Sequence, residues 1–400
     1  MRKNRLFRAS VFAILLTFFL LPAAAHAGDF TVICPGGGVG VFPSINAALA
    51  ALPQNGPNTI TVTGTCNEDV SLTDVRALTI IAGAGGAKIV QPQDSNTFDI
   101  VRSQNITLQN LEIAGVPGST LGFGGFGVNI AEASDVRILG RDIHDNEGGG
   151  VLGNNSSLLS LRNTNIHNNT PGDGLDAANG STADVRLTTI QNNGCSGLVR
   201  CYNFGFGGGV GVFVGRQSSA VFRNNNLIQN NGDIGIWARV LSTVTFAGDT
   251  TKTTVIQGHN IDGILIQEGA HLQFFAPALI QGNGVGCPPE TPIPCGGIFA
   301  TENATVEFLG FGTITGNHGA GVFVEQGTNL HLGGGVTISN NTGDGVHIRR
   351  ISIGDFTAIP GSSFGNNTIT GNVGASVFCD ARSLGIGNLS TFSNVRCGEN

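Results

Sequence analysis

Two groups of ionisable residues stand close enough in the chain to do chemistry. The first is Asp142, His144, Asp145 and Glu147, with His167, Asp173 and Asp176 one repeat later. The second is Asp344, His347, Arg349 and Arg350. Two reactions use such sets. Elimination needs a base for the proton beside a carboxylate, plus a cation or an arginine for the charge that develops. Glycoside hydrolysis needs two carboxyl groups across the scissile bond. Asp173, Asp176, His347 and Arg349 are therefore the candidate catalytic residues. The competing reading is structural: Asp173, Asp262 and Asp344 each precede the same glycine of a repeat, where an aspartate stabilises a turn.

What positions these residues is a repeat. Ile166-His-Asn-Asn169, a glycine turn and Leu175-Asp-Ala177 form its clearest copy. The unit recurs at Ile143/Asn146, Ile190/Asn193, Ile228/Asn231, Ile280/Asn283, Ile314/Asn317, Ile338/Asn341 and Ile369/Asn372, whereas Ile256 has His259 in the asparagine's place. Successive isoleucines are 23, 24, 38, 28, 24, 34, 24 and 31 residues apart, so the base period is about 24. A fixed period of this length means stacked coils. Three short strands fit each period: Gly-Val-x-Val, a stretch such as Ser242-Thr-Val-Thr-Phe246, and one ending at the repeat isoleucine. Each asparagine then falls where the chain bends, where its side chain satisfies the turn and the next coil.

In a parallel stack, equivalent residues lie about 4.8 Å apart, so function must be sought along rows. The flanks of the Gly-Val-x-Val strand are aliphatic and face inward, so its middle position faces out. Read coil by coil, that position is Leu152, Asp176, Phe213, Trp237, Leu265, Phe299, Phe323, His347 and Phe378. An outward row should be polar, and this one is mostly aromatic. Phe213, Trp237, Leu265, Phe299 and Phe323 are the candidate ligand-binding residues, a strip of about 19 Å. Insertions at 115–126, 194–210 and 284–296 all enter beside this row. They either wall a binding face or fold over the aromatics as a satellite core. Asp176 and His347 lie six coils apart, about 29 Å, and cannot share one reaction. His144 and His167 are equivalent and should stack; later coils put Gln191, Gln229, Gln257 and Gln281 there, which makes the row a polar ladder.

Residues 1–27 read as a secretory signal: Arg2, Lys3, Arg5 and Arg8, an apolar run from Val11 to Leu21, and Ala25-His26-Ala27. That run is short for a membrane span, and no later segment is long and apolar enough. The expected address is secreted, periplasmic or extracellular. Removing the signal takes four basic residues and no acidic one from totals of 20 and 27, leaving a net charge of −11. No basic footprint for nucleic acid is present. Eight cysteines in an exported chain read as disulfides, and proximity favours Cys34–Cys66, Cys195–Cys201, Cys287–Cys295 and Cys379–Cys397. A zinc site is the rival, but no paired Cys-x-x-Cys spacing occurs. Residues 28–58 read as a cap whose helix, near 44–52, buries Ile45, Ala48, Leu49 and Leu52 over the first core layer. Residues 59–400 continue as one repeat domain with its own C-terminal cap.

The helix lid, the Gly64-Thr65-Cys66-Asn67-Glu68 stretch and the repeated Ile-x-x-Asn with Gly-Val-x-Val together resemble the pectate-lyase-like right-handed parallel β-helix superfamily. Within it, the chain is most similar to secreted bacterial proteins built of parallel β-helix repeats. The resemblance covers nearly all of residues 28–400. It implies an all-β fold, a solenoid of roughly a dozen coils with an N-terminal capping helix. The family's enzymes are pectate and pectin lyases, polygalacturonases, and alginate lyases or epimerases, and none of their signatures is here: no Asp-Asp near Gly-His-Gly, no Arg-x-Pro-x-x-Arg, no Asp-Pro-His-Asp. Three functions follow as expectations: a protein binding polysaccharide or surface glycan along the aromatic row, a polysaccharide lyase or hydrolase, or a passive surface protein. No metal or cofactor is assigned, with Ca²⁺ entering only for a lyase. The sequence is silent on oligomeric state.

Overall fold

The computed structural model describes residues 28–53, 56–92, 95–116, 125–194, 209–286, 295–357 and 365–397. The signal segment, Cys195, Cys201 and Cys287 lie outside them.

The chain winds into a right-handed parallel β-helix with three strands per coil. One coil runs Asp173–Ala178, Thr182–Arg186 and Thr189–Gln191. The next follows as Val210–Gly215, Ser219–Arg223 and Leu227–Gln229, each strand parallel to its predecessor in exact one-to-one register. The first strands of the coils form a ladder of 13, called the first face below. The third strands carry the repeat isoleucines.

Period-2 alternation sends one set of side chains inward on every strand. Ile166, Ile190, Ile228, Ile256, Ile280, Ile314 and Ile338 are all buried in one continuous core. Phe222, Phe246, Phe274 and Phe308 stack within it, with ring centroids 5.4, 4.7 and 4.1 Å apart. Register forces this, because each phenylalanine pairs with the equivalent one on the next coil.

The asparagines form two buried ladders. In the first, the amides of Asn146, Asn169 and Asn193 donate to the Oδ1 of Asn169, Asn193 and Asn231 at 2.8–2.9 Å. In the second, Asn283, Asn317 and Asn341 donate to Asn317, Asn341 and Asn372 at 2.9 Å. His259 stands between the two ladders, fully buried, with Nδ1 and Nε2 each 3.2 Å from a backbone carbonyl, of Asn231 and Ile228 respectively.

The capping helix is Ile45–Ala50, with Ser44 as N-cap accepting from the Ala47 N–H and with Ile45 and Ala48 buried. Glu68 accepts the Ile45 and Asn46 N–H groups at 2.7 and 3.0 Å. One strand was not anticipated: Asp29–Cys34 precedes the helix and pairs with Asn58–Asn67. Phe30, Val32 and Cys34 face the core, Asp29 and Thr31 face out, and the alternation is blurred in sequence by the exposed apolar Ile33. Cys34–Cys66 and Cys379–Cys397 are bonded and secure the two ends. Cys295 is also in a disulfide. No helix among the described residues is long and apolar enough to cross a membrane.

Candidate functional site on the first face

The outward row of the first face follows the expected register. Leu152, Asp176, Phe213, Trp237, Leu265, Phe299, Phe323, His347 and Phe378 are consecutive partners. Exposure along it is uneven. Phe213, Trp237 and Phe299 are half-buried, whereas Leu265 and Phe323 are only 3% and 8% exposed. The row is thus two adjacent partly open rings, Phe213 and Trp237, then the sealed Leu265, the partly open Phe299 and the sealed Phe323.

Phe323 is covered by Phe299, His347 and Arg349, and Leu265 by a second outward row, three residues earlier in each coil. It reads Gly149, Asp173, Val210, Ile234, Asp262, Gly296 and Ala320. Val210, Ile234 and Leu265 form a small cluster outside the main core, with Phe213, Trp237 and Phe299 packed on it. Phe213 meets Trp237 edge-on at 5.4 Å, and Phe299 meets Phe323 edge-on at 5.5 Å. The Trp237 Nε1–H donates to Gln267 Oε1 at 2.9 Å, and the Arg239 guanidinium lies 5.3 Å from the ring centroid. Sequence periodicity identified the first row but not that Val210 and Ile234 adjoin it; two aliphatic residues at a turn position were the available signal. The insertions 117–124, 195–208 and 287–294 lie outside the described residues.

The aspartates of the second row have a structural task. Asp173 Oδ1 accepts from the Val210 N–H at 2.9 Å, Asp262 Oδ1 from Gly296 at 3.1 Å, and Asp344 Oδ1 from Ala375 at 2.6 Å. Asn96 does the same for Phe126 at 2.9 Å. Asn96, Asp173 and Asp262 therefore hold the points where the chain returns to the stack after its three insertions. Asp173, Asp262 and Asp344 each act on their own next coil and do not form one group.

Asp173 has another neighbour. Asp176 lies on the same coil, and Asp176 Oδ1 is sealed from solvent without a hydrogen-bond partner although the side chain as a whole is partly open. Burial, and then the Asp176 carboxylate, raise the Asp173 carboxyl well above the ordinary range. Burial pushes Asp176 up to about 6. Two desolvated carboxyls this close share a proton rather than both ionising.

Six coils on from Asp173, Asp344 Oδ2 is 2.7 Å from His347 Nδ1. The His347 ring is held between Phe323 and Phe378, with centroids 4.5 and 4.6 Å away. Arg349 lies over Phe323 at 4.7 Å, and its Nε donates to the buried Glu325 at 2.7 Å; Arg350 reaches the same carboxylate at 3.1 Å. The aspartate fixes one ring nitrogen and leaves Nε2 for a proton transfer, while Glu325 ties down the arginines. Asp173 and Asp176 are brought together, as are His347 and Arg349, and the two pairs remain apart.

Away from this face, His144 and His167 stack at 5.0 Å with nearly parallel rings. Burial, and then the neighbouring His144, lower the His167 pKa. Gln229, Gln257 and Gln281 continue the row as an amide ladder with bonds of 2.7–2.9 Å. The tightest set of metal-type donors among the described residues, Cys34, Cys66 and Glu68, has its thiols in a disulfide and its carboxylate on the capping helix.

Stacked parallel coils with two outward rows of this kind define a class, the right-handed parallel β-helices. The family model described as "Right handed beta helix region" matches residues 59–263, just over half of the chain. The protein belongs to that family. Among solved structures, it is similar to the A-module of an Azotobacter vinelandii mannuronan C-5 epimerase, at 13% identity and a TM-score of 0.47, covering 91% of this chain and 92% of that one. It is also similar to the pectate lyase Pel9A, at 12% identity and a TM-score of 0.33 over 88% and 80% of the two chains. A third likeness is to the catalytic domain of a GH87 alpha-1,3-glucanase in complex with nigerose, at 17% identity and a TM-score of 0.37 over 94% and 70%. None is close enough for its chemistry to be read across. No curated protein matches the sequence.

Proposed function

We propose that the protein is exported and binds a polysaccharide or cell-surface glycan along the first face, over Phe213, Trp237, Leu265, Phe299 and Phe323. The observation that carries the reading is the row itself: on an outward face where polar residues belong, Phe213 and Trp237 on adjacent coils, and Phe299 one coil beyond Leu265, have their rings partly open. Such rings offer apolar area to the C–H face of a sugar, and neighbouring polar groups fix its hydroxyls. The net charge of the chain, −7, favours a neutral or weakly charged polymer. Trp237 is the only tryptophan, so its fluorescence reports the site directly. Titration with a panel of soluble polysaccharides should change that signal saturably, and Trp237→Ala should abolish binding. If no polymer binds, the rings are a satellite core and the protein is a passive surface element.

A second reading, a polysaccharide lyase or hydrolase, is favoured by one observation: His347 is oriented by Asp344, with Arg349 just past the end of the same strand. An assay of the same panel for new reducing ends or unsaturated sugars tests it. Activity that disappears in His347→Gln while Trp237 binding persists would support catalysis at that end of the face.

A further inference from the structure

The stacked histidines carry a feature the amide ladder does not explain. Beside the histidine row runs another outward row, two residues earlier, and it is acidic only here: Glu112, next to Ile113, stands one coil before Asp142, next to Ile143, and Asn165 and Thr189 follow. Two histidines and two carboxylates thus meet on one open patch of sheet. We infer that His144, His167, Glu112 and Asp142 form a binding site for a divalent transition ion, with Zn²⁺ the best fit.

The donor set is two imidazoles and two carboxylates, which suits zinc. In a tetrahedral centre with bonds of about 2.0–2.2 Å, neighbouring ligand atoms stand about 3.3–3.5 Å apart. His144 Nε2 and Glu112 Oε1 are already 3.3 Å apart. His167 Nε2 and Asp142 Oδ1 are 4.0 Å apart, slightly wide of that edge. The two imidazoles must tilt together from their 5.0 Å stack. The imidazoles are mostly covered, at 15% and 20% exposed, whereas the Glu112 and Asp142 carboxylates are more open, at 27% and 41%, and have the greater room to swing toward an ion. The outer support is in place as well. Asp145 Oδ2 lies 2.7 Å from His144 Nδ1, which fixes the ring and leaves Nε2 to ligate. A carboxylate on the far nitrogen is the usual companion of a metal-bound histidine. Two residues oppose the ion: Lys88 Nζ sits 2.7 Å from the same Glu112 oxygen, and Asn165 Nδ2 donates to Asp142 Oδ1 at 3.1 Å, and both must yield.

The test is a Zn²⁺ titration of the untagged, chelator-treated native protein against a chromophoric chelator. One ion per chain is expected. His144→Gln and His167→Gln, each placing the residue that later coils use, should weaken binding at least 10-fold while thermal stability holds. Asp145→Asn should weaken it about 10- to 100-fold, and Lys88→Gln should tighten it. His271→Gln, at a half-buried histidine paired with Glu307, should change nothing. The absence of saturable one-to-one binding, or binding that survives His144→Gln/His167→Gln together or is lost with His271, overturns the assignment.

Discussion

Replacing His259 by asparagine should flatten one part of the protein's acid response. His259 is fully buried at a position where the other coils carry asparagine. Its Nε2 occupies the amide's place: a Cβ on Gly235 would be 2.5 Å from it, as one on Gly211 would be 2.6 Å from Asn231 Nδ2. Burial lowers the His259 pKa to about 4, against the approach of two carbonyls that partly raise it. An unfolded histidine titrates near 6.5. The folded state therefore refuses a proton that the unfolded state accepts between those values. His259 contributes stability that is complete above about pH 6.5 and is lost as pH falls toward about 4, amounting to about 3 kcal/mol in the limit of full burial. Asp176 works in the opposite direction over nearly the same window, because its folded pKa is raised to about 6. The native profile is thus a partial cancellation, and the informative quantity is the difference between native protein and His259→Asn. Urea unfolding from about pH 7 to about pH 4 should show the two within about 1 kcal/mol at the top and the variant ahead by about 2–3 kcal/mol at the bottom. A difference that does not change with pH would refute the argument, since it would mean that burial is not what sets this histidine's protonation.

Asp176→Asn should raise stability by about 1–2 kcal/mol near pH 8, after discounting for its partly open side chain, with the gain vanishing below about pH 4 where the native carboxyl is protonated. Gly174→Ala should cost about 2–3 kcal/mol in unfolding free energy, because its Cβ would lie 2.6 Å from both the Gly211 carbonyl oxygen and Ile190 Cγ2. Val240 has φ +55°, a left-handed conformation that suits a β-branched residue poorly; Val240→Asn should raise the urea midpoint by the equivalent of about 1 kcal/mol.

The coils, the rows and the asparagine ladders were legible because each rests on one repeated spacing: Ile143, Ile166 and Ile190 give the period, and a period gives the register. Asp29–Cys34 was not legible, since a single strand outside the repeat has no second copy to align with. The site was half legible. Outward placement of Trp237 followed from alternation alone, but the sealing of Leu265 depends on Val210 and Ile234 in the neighbouring row, which sit at a turn where pattern is weakest, and that of Phe323 on Phe299, His347 and Arg349 around it. Asp173 and Asp176 stand in one ionisable group in the sequence, but that group also holds His144 and His167, which lie on another face of the coil; residues three apart belong on opposite sides of an ideal strand, so strand alternation alone would not have put both aspartates outside the core.

The side chains that catch the returning chain, Asn96, Asp173 and Asp262, make the length of each excursion a nearly free variable. The strand that follows is aligned by a bond from the coil before, to Phe126, Val210 or Gly296, and not by the loop that delivers it. Doubling a flexible loop adds only about 0.6 kcal/mol of closure entropy. A lineage could therefore lengthen, exchange or delete whole segments beside the aromatic row without disturbing the stack. The same three positions are where an engineer would splice foreign segments into this scaffold.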